Sequence, residues 1–259
     1  MNNKTKTILA VITFIGMVVV NALANILPIN NTTTGDVSNS YPNLFAPAAL
    51  TFSIWGVIYA LLAAYTIYQT GIFPKKILTS TSRVFTDINT YYITSSLANI
   101  LWIFSWHYHQ IGISVIFMLV ILYCLIKIAD ITKQLHLSTK ENFLIRVPFS
   151  VYFGWITVAT IANITTFLVS INWNGFGLTN QLWMVIILLV GAAIGLVRML
   201  KDSSKAYGLV LIWAYFGIWI KHTSTFASQF TPVITTVLIC IGLFILAEGK
   251  LVFLNKSKN

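Results

Sequence analysis

Residues 7–28 read TILAVITFIGMVVVNALANILP, a run without one charged side chain. An α-helix rises about 1.5 Å per residue, so roughly 20 mostly apolar residues cross the hydrocarbon core of a bilayer. This run is long enough, and working outward from it more stretches of the same kind follow. They are Thr51–Thr70, Thr90–Trp106, Ile111–Ile128, Phe149–Ile171, Leu182–Leu200, Tyr207–Ile220 and Val233–Phe253. The chain has 259 residues, 57% of them hydrophobic and 8% charged, where soluble domains carry about a quarter charged residues. Six acidic residues cannot solvate a surface of this size. A membrane β-barrel would show short alternating strands, and an open sheet would leave backbone groups unpaired in lipid. The expected fold class is therefore all-α: a polytopic transmembrane helical bundle of about eight spanning helices.

The cations test that count. Lys4 and Lys6 precede the first span, and Lys75, Lys76 and Arg83 lie between the second and third. Lys127, Lys133, Lys140 and Arg146 follow the fourth, Arg198, Lys201 and Lys205 follow the sixth, and Lys250, Lys256 and Lys258 close the chain. The alternate loops, 29–50, 107–110, 172–181 and 221–232, hold Lys221 alone. Fifteen of sixteen Lys and Arg thus fall on one side, the asymmetry that marks cytoplasmic loops. A multi-pass cell-membrane protein with both termini cytoplasmic is the expectation. The net charge of +10 is explained by these loops. No basic stripe on a soluble module points to nucleic acid. An alternative at the N-terminus is a signal peptide cleaved after Ala22-Leu23-Ala24, which would leave seven spans; the apolar run continues through Ile26 and Leu27 and favours a retained helix.

Chemistry-bearing groups are scarce. No Asp, Glu, Lys or Arg stands near the middle of a span, whereas ion-coupled carriers and pumps usually need one. Glu248 and Lys250 lie near the end of the last span, where long side chains snorkel. There is no P-loop and no nucleophile motif, and no catalytic residue is assigned. His107 and His109 could form a metal pair, but an ordinary loop pair is the preferred reading, so no metal ligand is assigned. Cys124 and Cys240 sit inside apolar runs as buried thiols. Gly191 and Gly195 form a GxxxG face, for packing within the bundle or for a homodimer, the former being preferred. No internal repeat of the inverted-transporter kind is apparent.

Aromatic residues are abundant: eight Trp, eleven Tyr and seventeen Phe. Trp106, Trp173 and Trp183 are read as interface-belt residues. Others lie deeper. Tyr152, Trp155, Ala159 and Asn163 are spaced by three, four and four, hence on one helix face. An amide facing lipid is costly, so that face points inward. Asn99 and Trp102 share a face of the third helix, and Trp55 and Tyr59 share one of the second. A mostly apolar pocket with a few polar groups is the usual small-molecule site; a hydrogen-bond network between Asn99 and Asn163 is the alternative use of the two amides. The first outer loop, with Tyr41-Pro42-Asn43-Leu44-Phe45-Ala46-Pro47, is either a lid over such a pocket or an interface anchor.

These residues carry a resemblance. Pro47 followed by Phe52, Trp55 and Tyr59 is similar to the proline-rich first loop and Val-Trp-x-x-Leu-Tyr second helix of the tryptophan-rich sensory protein family, also called translocator protein (TspO/MBR). Asn99-Ile100-Leu101-Trp102 resembles its Leu-Asn-x-x-Trp motif, and Tyr152-x-x-Trp155-x-x-Val158-Ala159-Thr160-x-x-Asn163 its fifth-helix motif. The resemblance implies a five-helix unit over 1–173, followed by a three-helix transmembrane extension over 174–259. It implies a pocket under the first loop, with ligand-binding positions at Pro47, Trp55, Tyr59, Asn99, Trp102, Tyr152, Trp155, Ala159 and Asn163. The implied ligand is hydrophobic: a tetrapyrrole (porphyrin or haem), a sterol-like molecule or another lipid; no cofactor is required. The sequence departs from the family at the double proline, here Ala46-Pro47. The family's loop tryptophans fall on Leu44 and Ala49, and its tryptophan near the end of helix five falls on Phe167. Porphyrin chemistry attached to those tryptophans transfers least.

The expected function is binding of a hydrophobic small molecule between helices, in sensing, regulation or transport. The expected partners are the bilayer and that ligand. Two rival classes are a membrane subunit of a transporter and an enzyme acting on a bound tetrapyrrole or lipid.

Overall fold

The computed structural model describes residues 3–71 and 79–256. Lys75, Lys76 and Lys258 lie outside them. Eight long helices carry the fold: α1 (Asn3–Ile26), α2 (Ile54–Thr70), α3 (Thr79–His107), α4 (Ile111–Lys133), α5 (Val147–Ser170), α6 (Asn180–Asp202), α7 (Lys205–Ser224) and α8 (Thr231–Lys256). Among the described residues there is no strand. The protein is an all-α, multi-pass helical membrane bundle, as composition and run length dictate. Each expected span falls within one long helix, apart from Leu27–Pro28, Thr51–Ser53 and Ile171 at the ends.

Among the described residues, six helical stretches are long and apolar enough to cross a membrane: Lys4–Ile26, Ala49–Thr70, Ile111–Lys133, Thr139–Ser170, Asn180–Asp202 and Thr231–Phe253. Of the two helices outside that set, α3 and α7, α3 is the more polar, for a physical reason. Hydropathy matters only on surface that meets lipid, and both helices bury much of theirs. On α3, Asn89, Ser95, Ser96 and Asn99 are fully buried. On α7, Tyr207, Val210, Leu211, Ala214, Tyr215 and Ile218 are buried. Polar side chains are tolerated there because protein groups, not hydrocarbon, surround them.

The chain divides into two compact units, one formed by Met1–Val37 and Trp55–Phe153, the other by Ser38–Ile54 and Gly154–Asn259. Helix α5 passes from the first into the second between Phe153 and Gly154.

In the first unit α3 packs on α1 and on α4. Its core is aromatic. Tyr65, Tyr92 and Phe149 meet edge to face, with ring centroids 4.7 to 5.6 Å apart, the arrangement ring quadrupoles prefer. Their hydroxyls are satisfied inside the core: Tyr65 donates to Asn89 Oδ1 at 3.0 Å, and Tyr92 Oη lies 3.1 Å from Thr66 Oγ1. At one end Lys6 Nζ donates to Thr90 Oγ1 and the Thr86 carbonyl, tying α1 to α3. Arg146 donates to the Thr132 and Leu135 carbonyls at the end of α4, where a cation is favoured by the helix dipole and the unpaired carbonyls. Helix α1 runs on through Ala22-Leu23-Ala24, and Ala24 is fully buried.

In the second unit α6, α7 and α8 pack on one another, and a 3₁₀ turn at Ala49–Ser53 sits on α7. That turn is fixed by backbone proximity. Ala48 N donates to the Gly217 carbonyl at 3.0 Å and Trp213 Nε1 to the Thr51 carbonyl at 3.0 Å. A Cβ at Gly217 would strike Thr51. The GxxxG face is taken up inside the unit. A Cβ on Gly191 would lie 2.8 Å from Tyr215 Oη, and one on Gly195 would press on Leu211 and Phe244.

Candidate functional site

Five of the residues singled out from the sequence come together in the first unit. Trp55 on α2 is central. Its ring stacks on Tyr59 at 5.5 Å and on Trp102 of α3 at 6.5 Å, and meets Tyr152 of α5 edge-on at 6.0 Å. Trp102 continues the stack to Trp106 at 5.8 Å. Spacing explains both pairs: four residues along a helix return to the same face, so Trp55 lies under Tyr59 and Trp102 under Trp106. Trp106, read from the sequence as an interface-belt residue, is 5% exposed and its indole donates to the Thr34 carbonyl. It extends the aromatic wall.

A polar chain runs beside that wall. Asn99, with no exposed surface, donates to Tyr152 Oη at 3.3 Å and accepts from Asn21 Nδ2 at 2.7 Å. Asn21 also donates to the Met17 carbonyl, one turn back on α1. Asn21 escaped the sequence reading because the apolar run around it reads as plain lipid-facing helix. The available signal was an amide in the middle of that run, which hydrocarbon would not tolerate without a partner.

One group in the cluster is unsatisfied. Tyr59 Oη is buried and has no hydrogen-bond partner. A buried, unpaired hydroxyl costs on the order of 1–3 kcal/mol, and such groups are rare in native structures without a reason. The site therefore combines a flat aromatic wall, a bonded amide and a free hydroxyl.

The remaining four positions belong to the second unit. Trp155 and Asn163, on α5, are each 2% exposed. Trp155 meets Phe52 edge-on at 5.7 Å. Ala159 is half-buried and Pro47 is buried. The structure supports the inward placement of this face of α5.

His107 is fully buried and committed. Its ring nitrogens lie 3.0 Å from Thr34 Oγ1 and 3.2 Å from the Ile29 carbonyl, and the Asn30 side chain donates to its backbone carbonyl. It anchors the first loop. Among the described residues no group of three or more His, Cys, Asp or Glu is placed to hold a metal. Cys124 and Cys240 are free and buried. In the same loop the Asp36 carboxyl accepts from the Thr33 hydroxyl and backbone N–H, and these bonds hold it below the usual carboxylate range.

The fold and this buried aromatic and amide cluster define a multi-pass helical membrane protein. The profile of the TSPO-like protein family matches residues 7–249, so the chain belongs to the TSPO-like family. The match does not stop at residue 173 but runs through α6 and α7 and most of α8. No curated protein and no solved structure gives a significant match.

Proposed function

We propose that this TSPO-like protein binds a hydrophobic small molecule against the aromatic wall of its first unit, for sensing, regulation or transport. The observation that carries the reading is the unpaired Tyr59 hydroxyl beside the Trp55–Trp102 stack. An apolar core alone would have no use for it, and phenylalanine would pack there at lower cost. A ligand that accepts or donates one hydrogen bond removes the penalty and gains the ring contacts. The residues fit a tetrapyrrole through its flat face and polar edge, and a sterol-like lipid equally through face and hydroxyl. They do not offer His107 to a haem iron, since both its nitrogens are engaged. The expected orientation, both termini cytoplasmic with eight crossings, rests on the loop cations.

Mass spectrometry of small molecules co-purified with the full chain in mild detergent identifies the ligand class. Tyr59→Phe is the discriminating variant. It should leave the melting temperature unchanged or slightly higher and lower affinity for the co-purified ligand about five- to tenfold, the value of one net hydrogen bond. Unchanged affinity in a well-folded Tyr59→Phe protein would remove the basis for this site.

A further inference from the structure

The second unit holds a cavity of its own, lined by none of the nine ligand-binding positions expected from the sequence. It has a volume of about 250 Å³ and lies among the 42–45 segment, the end of α5, the 173–175 turn, the start of α6 and Phe226. Its walls are held in place. The Asn43 carboxamide oxygen accepts from the backbone N–H of Phe45 and Ala46, while its nitrogen donates to the Tyr41 carbonyl. The next residue, Leu44, accepts from His222 Nε2 at 2.9 Å. The opposite wall depends on Gly175. Its φ is +63°, and a Cβ there would lie 2.7 Å from Trp183 Nε1. Only glycine both adopts this backbone readily and lets the indole approach. Trp183 then donates to the Gly175 carbonyl and packs on Trp173, with ring centroids 5.0 Å apart.

The chemistry of the lining selects the occupant. No Asp, Glu, Lys, Arg or His lines the cavity, so a charged molecule would lose its hydration without an ion partner, at a cost of several kcal/mol. Most polar groups of the frame are already bonded: Trp183 Nε1 to Gly175, Thr165 Oγ1 to the Ile161 carbonyl, and the Asn43 oxygen to two backbone N–H groups, while the other polar side chain of the lining, Asn180, is exposed. Water would find few partners there. Four rings face in from separate places in the chain: Phe45, Trp173, Trp183 and Phe226. Flat walls of this kind suit a flat guest. An apolar cavity of roughly 150 Å³ already holds benzene, while sites for drug-sized ligands begin near 300 Å³.

We propose that this cavity is a second binding site, for a neutral planar aromatic molecule of one or two rings. The site is too small for a tetrapyrrole, and it is independent of the cluster around Tyr59. The aromatic corner is the functional use of Trp173 and Trp183, which sequence reading assigns to the membrane interface.

The test is photolabelling of the purified full chain in detergent with a phenyl-diazirine, a neutral one-ring probe, followed by peptide mapping. Saturable labelling is expected within residues 165–187. Excess naphthalene should suppress it and naphthalenesulfonate should not. Ile187→Trp fills the cavity from α6 and should reduce the competable label at least tenfold, while label on the exposed Phe253 stays constant. If Ile187→Trp melts early, Val169→Phe fills the same space from α5. Tyr59→Phe should leave this labelling intact, which separates the two sites. Labelling that naphthalene does not displace, or that persists in a filled and stably folded variant, overturns the proposal. Displacement by added phospholipid at the same potency overturns it too, because an acyl chain would then be the occupant.

Discussion

Asn21 Nδ2 donates to Asn99 Oδ1 at 2.7 Å, joining α1 to α3 where both side chains are buried. Within a membrane such a bond has no competing water, yet measured values are modest, about 0.6 kcal/mol on average and up to about 1.7. Asn99→Leu also removes the donor to Tyr152 and leaves the Asn21 amide only its bond to the Met17 carbonyl. It should destabilise the protein by about 1–2 kcal/mol. Asn21→Leu should cost less, and the double variant less than the sum, with a coupling of about 0.5–1.5 kcal/mol. Unfolding free energies in detergent give the cycle; strict additivity would mean the bond contributes nothing.

Gly191 tests how the GxxxG face is used. A Cβ there meets Tyr215 Oη at 2.8 Å and Ile161 at 3.0 Å, and Tyr215 is anchored by donating to the Leu188 carbonyl. Gly191→Ala should cost about 1–3 kcal/mol by overpacking, read as a lower melting temperature. Adding Tyr215→Phe clears the closer contact and should recover part of the loss. The oligomeric state on size-exclusion chromatography should not change. A Gly191→Ala protein that dissociates without melting earlier would instead place this face between subunits.

The topology expected from the loop cations is open to cysteine labelling in intact cells. Thr33→Cys should react with an impermeant maleimide added outside, and Thr79→Cys should react only after permeabilisation. Background should be low, because Cys124 and Cys240 are 2% and 0% exposed. Inverted labelling at the two positions contradicts the cytoplasmic termini.

Truncation after residue 173 asks whether the five-helix stretch stands alone. The segment 44–51 is held by α7 through Leu44–His222, Ala48–Gly217 and Thr51–Trp213. Removing α6 to α8 should leave α1 to α4 inserted but open that segment to proteinase K, with cleavage at least tenfold faster than in the intact chain. Equal protection in both chains would show that the three contacts do not order it.

The sequence by itself determined the class of this protein. Long uncharged runs admit only helices in lipid, because each helix satisfies its own backbone. It also carried Trp55, Tyr59, Asn99, Trp102 and Tyr152, since steps of three and four put aromatic and amide groups on common faces. Periodicity could not say which faces meet. That Asn99 pairs with Asn21 and Tyr152 was decided by how α1, α3 and α5 pack, a long-range matter with no local signal. The cavity beside Trp183 was equally hidden. It depends on a left-handed backbone at Gly175, on a turn pinned by Asn43, and on Phe226 from a distant helix end, and these positions share no spacing along the chain. Local rules fix what each helix is; only packing fixes which polar group finds a partner, which one is left without, and where space remains.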